Sequence, residues 1–291
     1  MSTVSILGST GMLGHSVVQG FAGFAGTLNG SSKRVDTNPL LDESFFLDAI
    51  ELELPEALHK LRPADFVINC IGVIKPHISE VSAATRERAL LINSLFPYAL
   101  ESLASELGFK IIQIATDCVF SGDKGKYLET DSHDAIDTYG KTKSLGEVPS
   151  ANMMNLRVSI IGPEAGRSTS LFEWVRNQPK NSKINGYSDH YWNGVTCTSF
   201  ARICRGLIEN DGFVAGTHHL VPGDVMTKFE LVTAIANKCD RKDIEIQKSP
   251  SGHKVDRTLA TTQESLNARL WANAGYPSIP SISELVAEIE L

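Results

Sequence analysis

Residues 4–14 read VSILGSTGMLG, a four-residue apolar strand pattern that runs straight into a turn with glycines at 8, 11 and 14. An apolar stretch with helical patterning, HSVVQGFAGF (15–24), follows at once. A strand, a glycine-rich turn and a helix in this order open a βαβ unit. The turn lets backbone approach a pyrophosphate, and the helix N-terminus points N–H groups at it. A glycine triplet alone also suits a tight strand-to-helix connection, so the rest of the chain has to decide.

The alternation continues. Strand-like runs at FVINCIGVI (66–74), KIIQIAT (110–116) and LRVSIIG (156–162) are separated by long helical segments, and TLNG (27–30) reads as the second strand. The Leu, Ile, Phe and Ala spacing of RERALLINSLFPYALESLASELG (86–108) predicts an amphipathic helix closed by Gly108. Strands alternating with helices pair in parallel, so the expected fold is α/β, a Rossmann-type doubly wound parallel sheet. From about residue 163 the rhythm changes. RSTSLFEWVRNQP (167–179), GVTCTSFARICRGLIE (194–209) and MTKFELVTAIANKC (226–239) predict helices, and THHLV (217–221) and DIEIQKS (243–249) predict strands. The expected division is a nucleotide-binding domain of residues 1–162 plus about 194–222, with a smaller α/β substrate lobe from the discontinuous segments at about 163–193 and 223–291.

Composition narrows the function classes. The 291 residues are 42% hydrophobic and 21% charged, as in an ordinary globular protein with length for a sizeable core. A net charge of -7 without a dense basic run argues against nucleic acid and anionic membrane as partners. The start MSTVSILGST lacks the cationic and apolar parts of a signal peptide, and no 18-residue apolar run occurs, so a cytoplasmic protein is expected. The cysteines, at 70, 118, 197, 204 and 239, form no CxxC, and no His stands at ligand spacing. Neither a disulfide framework nor a metal site is therefore expected. His218 and His219 alternate along the expected strand and should point to opposite faces.

Two local features carry chemistry. In DTYGKTKSLGEVP (137–149), Tyr139 alone among six tyrosines has a lysine four places on, Lys143. On a helix the two share a face, and the ammonium would favour the phenolate. The second feature is SSKRVD (31–36), at the position where an NAD site usually carries an acid for the ribose 2′-hydroxyl. Ser31, Ser32, Lys33 and Arg34 would suit a 2′-phosphate, which points to NADP as NADPH, while Asp36 keeps NAD in play.

Taken together the residues resemble the extended short-chain dehydrogenase/reductase family, and within it the sugar-nucleotide reductases typified by dTDP-4-dehydrorhamnose reductase. The resemblance covers most of the chain. It rests on GSTGMLG, LDAIE, RPADFVINCIGVIKP, INSLFPYAL, IATDCVFSGDKGKYLETD and TYGKTKSLGE. It implies Thr116, Tyr139 and Lys143 as the catalytic group, with Tyr139 as general acid, its phenol brought toward neutrality by Lys143 and the oxidised nicotinamide. It also implies cofactor contacts from Gly8, Thr10, Gly11, Met12 and Leu13 at the pyrophosphate, Asn29 on the second strand, Asp48 and Ala49 beside the adenine, and Cys70, Ile71 and Gly72 beyond the fourth strand. Tyr139 and Lys143 would hold the nicotinamide end.

For the substrate, the resemblance implies Cys118, Val119, Trp192, Asn193 and, near a diphosphate, Arg257. Lys75 and His77 could line the same cleft. Two departures bear on the sugar. The family's Thr-Asp-Tyr-Val-Phe appears as Thr116-Asp117-Cys118-Val119-Phe120, and its GxPT segment appears as YWNGVTCTSFA. The implied activity is NADPH-dependent reduction of the 4-keto group of a nucleotide-linked 6-deoxy sugar in surface polysaccharide or deoxysugar biosynthesis. The alternatives are a sugar-nucleotide epimerase or epimerase-reductase using Cys118, and a noncatalytic NADP-binding regulatory subunit, since that of methionine adenosyltransferase resembles the same reductases. Family members are often dimers, which leaves a homodimer open.

Overall fold

The computed structural model describes residues 1–33, 36–50, 61, 64–164 and 169–291. Strand β1 (Thr3–Leu7) leads into α1 (Met12–Gly20), followed by β2 (Thr27–Ser32), β3 (Glu43–Phe46) and β4 (Phe66–Asn69). A helical run made of α2 (Ala83–Ala89), a π-helical stretch (Leu90–Leu95) and α3 (Phe96–Leu107) precedes β5 (Lys110–Ala115), α4 (Thr138–Leu145) and β6 (Met153–Arg157). Next come β7 (Ile160–Ile161), α5 (Leu171–Arg176), β8 (Lys183–Tyr187), β9 (His190–Trp192), β10 (Val195–Thr196) and α6 (Cys197–Glu209). The chain ends with β11 (Gly216–His219), β12 (Met226–Thr227), α7 (Lys228–Lys238), β13 (Glu245–Ser249), β14 (Val255–Asp256), α8 (Glu264–Asn273) and α9 (Ile282–Ala287).

Among the described residues, seven strands form one parallel sheet in the order β11-β6-β5-β4-β1-β2-β3. The chain builds outward from β1 through β2 and β3, then crosses to β4 on the other side of β1. That reversal opens a crevice beyond the carboxyl ends of β1 and β4, where sheets of this kind bind ligands. Both faces are covered, which is why the strands read as nearly continuous apolar runs. Val4, Ile6, Ile68 and Ile112 pack into one core with Val17, Val18 and Phe200. Leu7, Val67 and Ile111 pack into the other with Leu100, Ala104 and Phe109.

Several sequence expectations change here. The run at 66–74 is a strand only from Phe66 to Asn69. There the Asn69 side chain donates to Gln113 Oε1 at 2.9 Å and accepts from the Ile71 amide at 3.1 Å, which turns the backbone off the ladder. The strand expected at 156–162 divides into β6, which begins at Met153, and β7, which pairs with β10 outside the main sheet. The helix expected over 86–108 is interrupted by the π-helical stretch, where Asn93 and Ser94 are buried.

A third core gathers Ile161, Phe172, Val175, Leu231, Ile235 and Ile282. Helix α8, expected in the substrate lobe, instead places Leu270 and Trp271 in the first core, with the Trp271 indole donating to the Val221 carbonyl at 2.9 Å. Among the described residues no helix is long and apolar enough to cross a membrane.

Candidate active site

The glycine turn is built as a close backbone approach. Gly8 has φ +79°, a left-handed conformation that side chains disfavour. A Cβ on Gly14 would lie 2.1 Å from the Gly8 carbonyl oxygen, so only glycine lets α1 start this near the strand. The amides of Gly8 and Ser9 both donate to the Ser31 carbonyl, at 2.9 and 3.0 Å. Ser31 and Asn29 are buried beneath the turn, and the Ser31 carbonyl braces it, while Ser31 Oγ and Asn29 Oδ1 have no hydrogen-bond partner among the described residues. Thr10 Oγ1 and Ser32 Oγ lie 2.5 Å apart, and Ser9 Oγ donates to Asp36 at the same distance. Lys33 forms an ion pair with Asp48 at 2.5 Å. Ala49 is buried in the second core, and Arg34 lies outside the described residues.

A cleft of about 390 Å³ opens over this turn. Gly11, Met12 and Leu13 line one side, Cys70, Ile71 and Gly72 another, and Thr116, Tyr139 and Lys143 converge on the third. The backbone cradle and the turn at the helix start fit the pyrophosphate of a dinucleotide.

Helix α4 delivers Tyr139 and Lys143 because its start is fixed. Asp137 caps it, accepting from the Gly140 amide at 2.7 Å, and is ion-paired with Lys75 at 2.6 Å. Asn93 holds the helix from the other side. It bonds both backbone groups of Val73, at 2.8 and 2.9 Å, and donates to Thr142 Oγ1 at 3.2 Å. Ser94 Oγ donates to the Thr142 carbonyl at 2.8 Å. The polar interruption in the long helical run therefore locks the residue beside Lys143. Below α4, buried Arg157 donates to Glu147 at 2.6 and 3.0 Å and meets His219 and His133 at 2.6 and 2.8 Å. His218 bonds Gln263 at 2.8 Å on the other side of β11.

Burial dominates the electrostatics of the site. Burial pushes the Tyr139 phenol up, with the Cys118 thiol adding to the rise and a hydrogen bond to Thr116 opposing it. The phenol is thus held protonated, the state a general acid needs. Burial lowers Lys143 to about 8, against the pull of Glu147. Its ammonium donates to the Ile114 carbonyl at 2.8 Å.

Residues 1–288 match the family described as the RmlD substrate binding domain. The chain belongs to that family. It is 27% identical over 284 residues to methionine adenosyltransferase 2 subunit beta of Rattus norvegicus, a match covering 92% of this chain and 79% of the relative. The dTDP-4-dehydrorhamnose reductase of Bacillus anthracis in complex with NADP shares the fold, with a TM-score of 0.74 at 18% identity over 98% of this chain and 97% of that one. MoeE5 in complex with UDP-glucose and NAD has a TM-score of 0.74 at 16% identity, covering 98% and 96% of the two chains.

The substrate end of this RmlD-domain protein departs from the expected residue set. Cys118 lines the cleft, with its thiol pushed up to about 12 by burial and by Asp117. That disfavours the thiolate an epimerase base would need. Val119 is fully buried against Phe120, Tyr127 and Leu259 and does not line the cleft. Both ends of the Asn193 amide are occupied by Leu259, which accepts at 2.7 Å and donates at 2.9 Å. Asn193 therefore ties two segments together rather than facing a sugar.

Trp192 lines the cleft and is packed in the third core, with its indole N–H donating to Ser159 Oγ at 2.8 Å. Arg257 donates to the Phe120 carbonyl at 2.9 Å, and its charge reaches Asp117 and Asp137. His77 lines the cleft; Lys75 instead pairs with Asp137 and lies 6.0 Å from the Tyr139 ring centroid. Sequence reasoning missed Lys228, the first residue of α7, which also lines the cleft. Its helix pattern reads as an exposed start, and nothing local signals that it turns inward.

Proposed function

We propose that this chain reduces the 4-keto group of a nucleotide-linked 6-deoxy sugar, with NADPH as hydride source. The observation that carries the reading is the convergence of Thr116, Tyr139 and Lys143 on one cleft that also receives the glycine turn. Bound NADPH would supply the hydride at carbon. Tyr139 donates its proton to the developing alkoxide, for which its buried, protonated phenol is suited. Thr116 Oγ1 holds the carbonyl oxygen in line with that phenol. Lys143, already anchored on Ile114, is placed to hold a ribose hydroxyl and to stabilise the phenolate left behind.

The test is NADPH oxidation with the 4-keto-6-deoxy sugars of dTDP, UDP and GDP, run beside NADH because Asp36 sits on the turn and Lys33 is paired with Asp48. Turnover that disappears in Tyr139→Phe supports the reading. No oxidation with any of the three removes it.

A second reading is a noncatalytic, NADP-binding regulatory subunit in the same cytoplasmic setting. It is favoured by the 27% identity to methionine adenosyltransferase 2 subunit beta. Copurification with a methionine adenosyltransferase, together with no keto-sugar turnover, would establish it.

A further inference from the structure

A second cavity, of about 570 Å³, lies in the substrate lobe beside the cleft. Trp174 and Tyr187 line it and are 41% and 39% exposed, so they offer aromatic faces to a ligand. Two residues line both cavities, Leu171 and Lys228. They mark where the two cavities adjoin. Lys228 brings the cation to that seam. Its Nζ lies 5.4 Å from the centre of the Trp192 ring, which is itself pinned on Ser159. Among the described residues, no carboxylate forms an ion pair with it at contact distance; Asp117 acts on it through space.

We infer that Lys228 is a binding and specificity residue of the proposed site, the anchor for the diphosphate that links a sugar in the cleft to a nucleoside in the lobe cavity. The inference rests on the nucleotide-sugar reading of the cleft and names the group that would fix the substrate's length and register. A cation held against an indole, facing two cavities and lacking a bonded carboxylate, is placed to take a phosphate oxygen as its partner. Burial lowers its ammonium to about 8, and Asp117 opposes that fall, so the cation persists at neutral pH. With Arg257 turned onto the Phe120 carbonyl, Lys228 is the better placed of the two cations for this role.

The experiment compares wild type, Lys228→Met and Lys228→Arg by calorimetric titration with UDP, dTDP and GDP, with uridine, thymidine and guanosine as uncharged controls. NADPH titration of each variant checks the fold and the other site. For the diphosphate that binds wild type best, Lys228→Met should weaken affinity roughly 10- to 100-fold, the weight of a charged hydrogen bond. Lys228→Arg should restore most of it, and the matching nucleoside and NADPH should bind all three proteins alike. Equal diphosphate affinity in wild type and Lys228→Met overturns the anchor and leaves the nucleotide-sugar reading standing. Wild type that binds NADPH but no nucleoside diphosphate overturns both. Equal losses for nucleoside and diphosphate would make Lys228 a packing residue and also overturn the proposal.

Discussion

Lys143 donates to the carbonyl oxygen of Ile114 at 2.8 Å, a bond that ties the helix carrying Tyr139 to the strand ending beside Thr116. The three side chains thus meet at one junction, where this backbone contact adds to the capped start of the helix in fixing Tyr139.

Replacing Tyr139 with Phe removes the proton donor and little packing. Turnover should fall about 10²- to 10⁴-fold while NADPH affinity stays nearly unchanged. Steady-state kinetics beside a fluorescence titration check this, and undiminished turnover would take Tyr139 out of the mechanism.

The pH profile should show a limb near 8. Lys143 loses its proton there, so reduction should decline as pH rises past that point. Because Glu147 favours the ammonium, Glu147→Gln should move the limb to lower pH. A kcat/KM profile for both proteins decides it.

Stability should respond in the opposite sense. Lys143 and Lys228 are lowered from 10.5 to about 8 in the folded protein, so between these values the unfolded chain holds more protons. Unfolding free energy from these groups should therefore rise with pH across that window, and the rise should shrink in Lys143→Met. Above 10, Tyr139, whose phenol is raised, begins to oppose it. Urea denaturation at a series of pH values measures the slope.

Asn93→Ala should destabilise the protein by about 2–4 kcal/mol, since both buried backbone groups of Val73 lose their partner and the Thr142 hydroxyl, which still donates to the Tyr139 carbonyl, loses one donor. Turnover should drop with it, because Thr142 adjoins Lys143. A variant as stable and active as wild type would show that the clamp is dispensable.

Gly14→Ala forces a methyl to within 2.1 Å of the Gly8 carbonyl oxygen. The turn must open, at a cost of at least about 1–3 kcal/mol, and NADPH affinity should collapse. Thermal shift with and without cofactor reads both effects.

Local pattern and spacing determined a good deal here. The glycine turn, the alternating strands and helices, and the Tyr139 and Lys143 pair were legible because each depends on residues a few places apart, read through the periods of strand and helix. The same local reading ran a strand through Asn69 to residue 74. The family resemblance likewise gave Val119 and Asn193 as substrate contacts, and neither lines the cleft. The deciding partner lies far along the chain: Gln113 for Asn69 and Leu259 for Val119 and Asn193. Only the tertiary structure decided that burial pushes the Tyr139 phenol up and that Lys228 lines both cavities. Burial and the charges that surround a group are properties of the assembled chain, and they set proton affinity and ligand contact where sequence spacing carries no record of them.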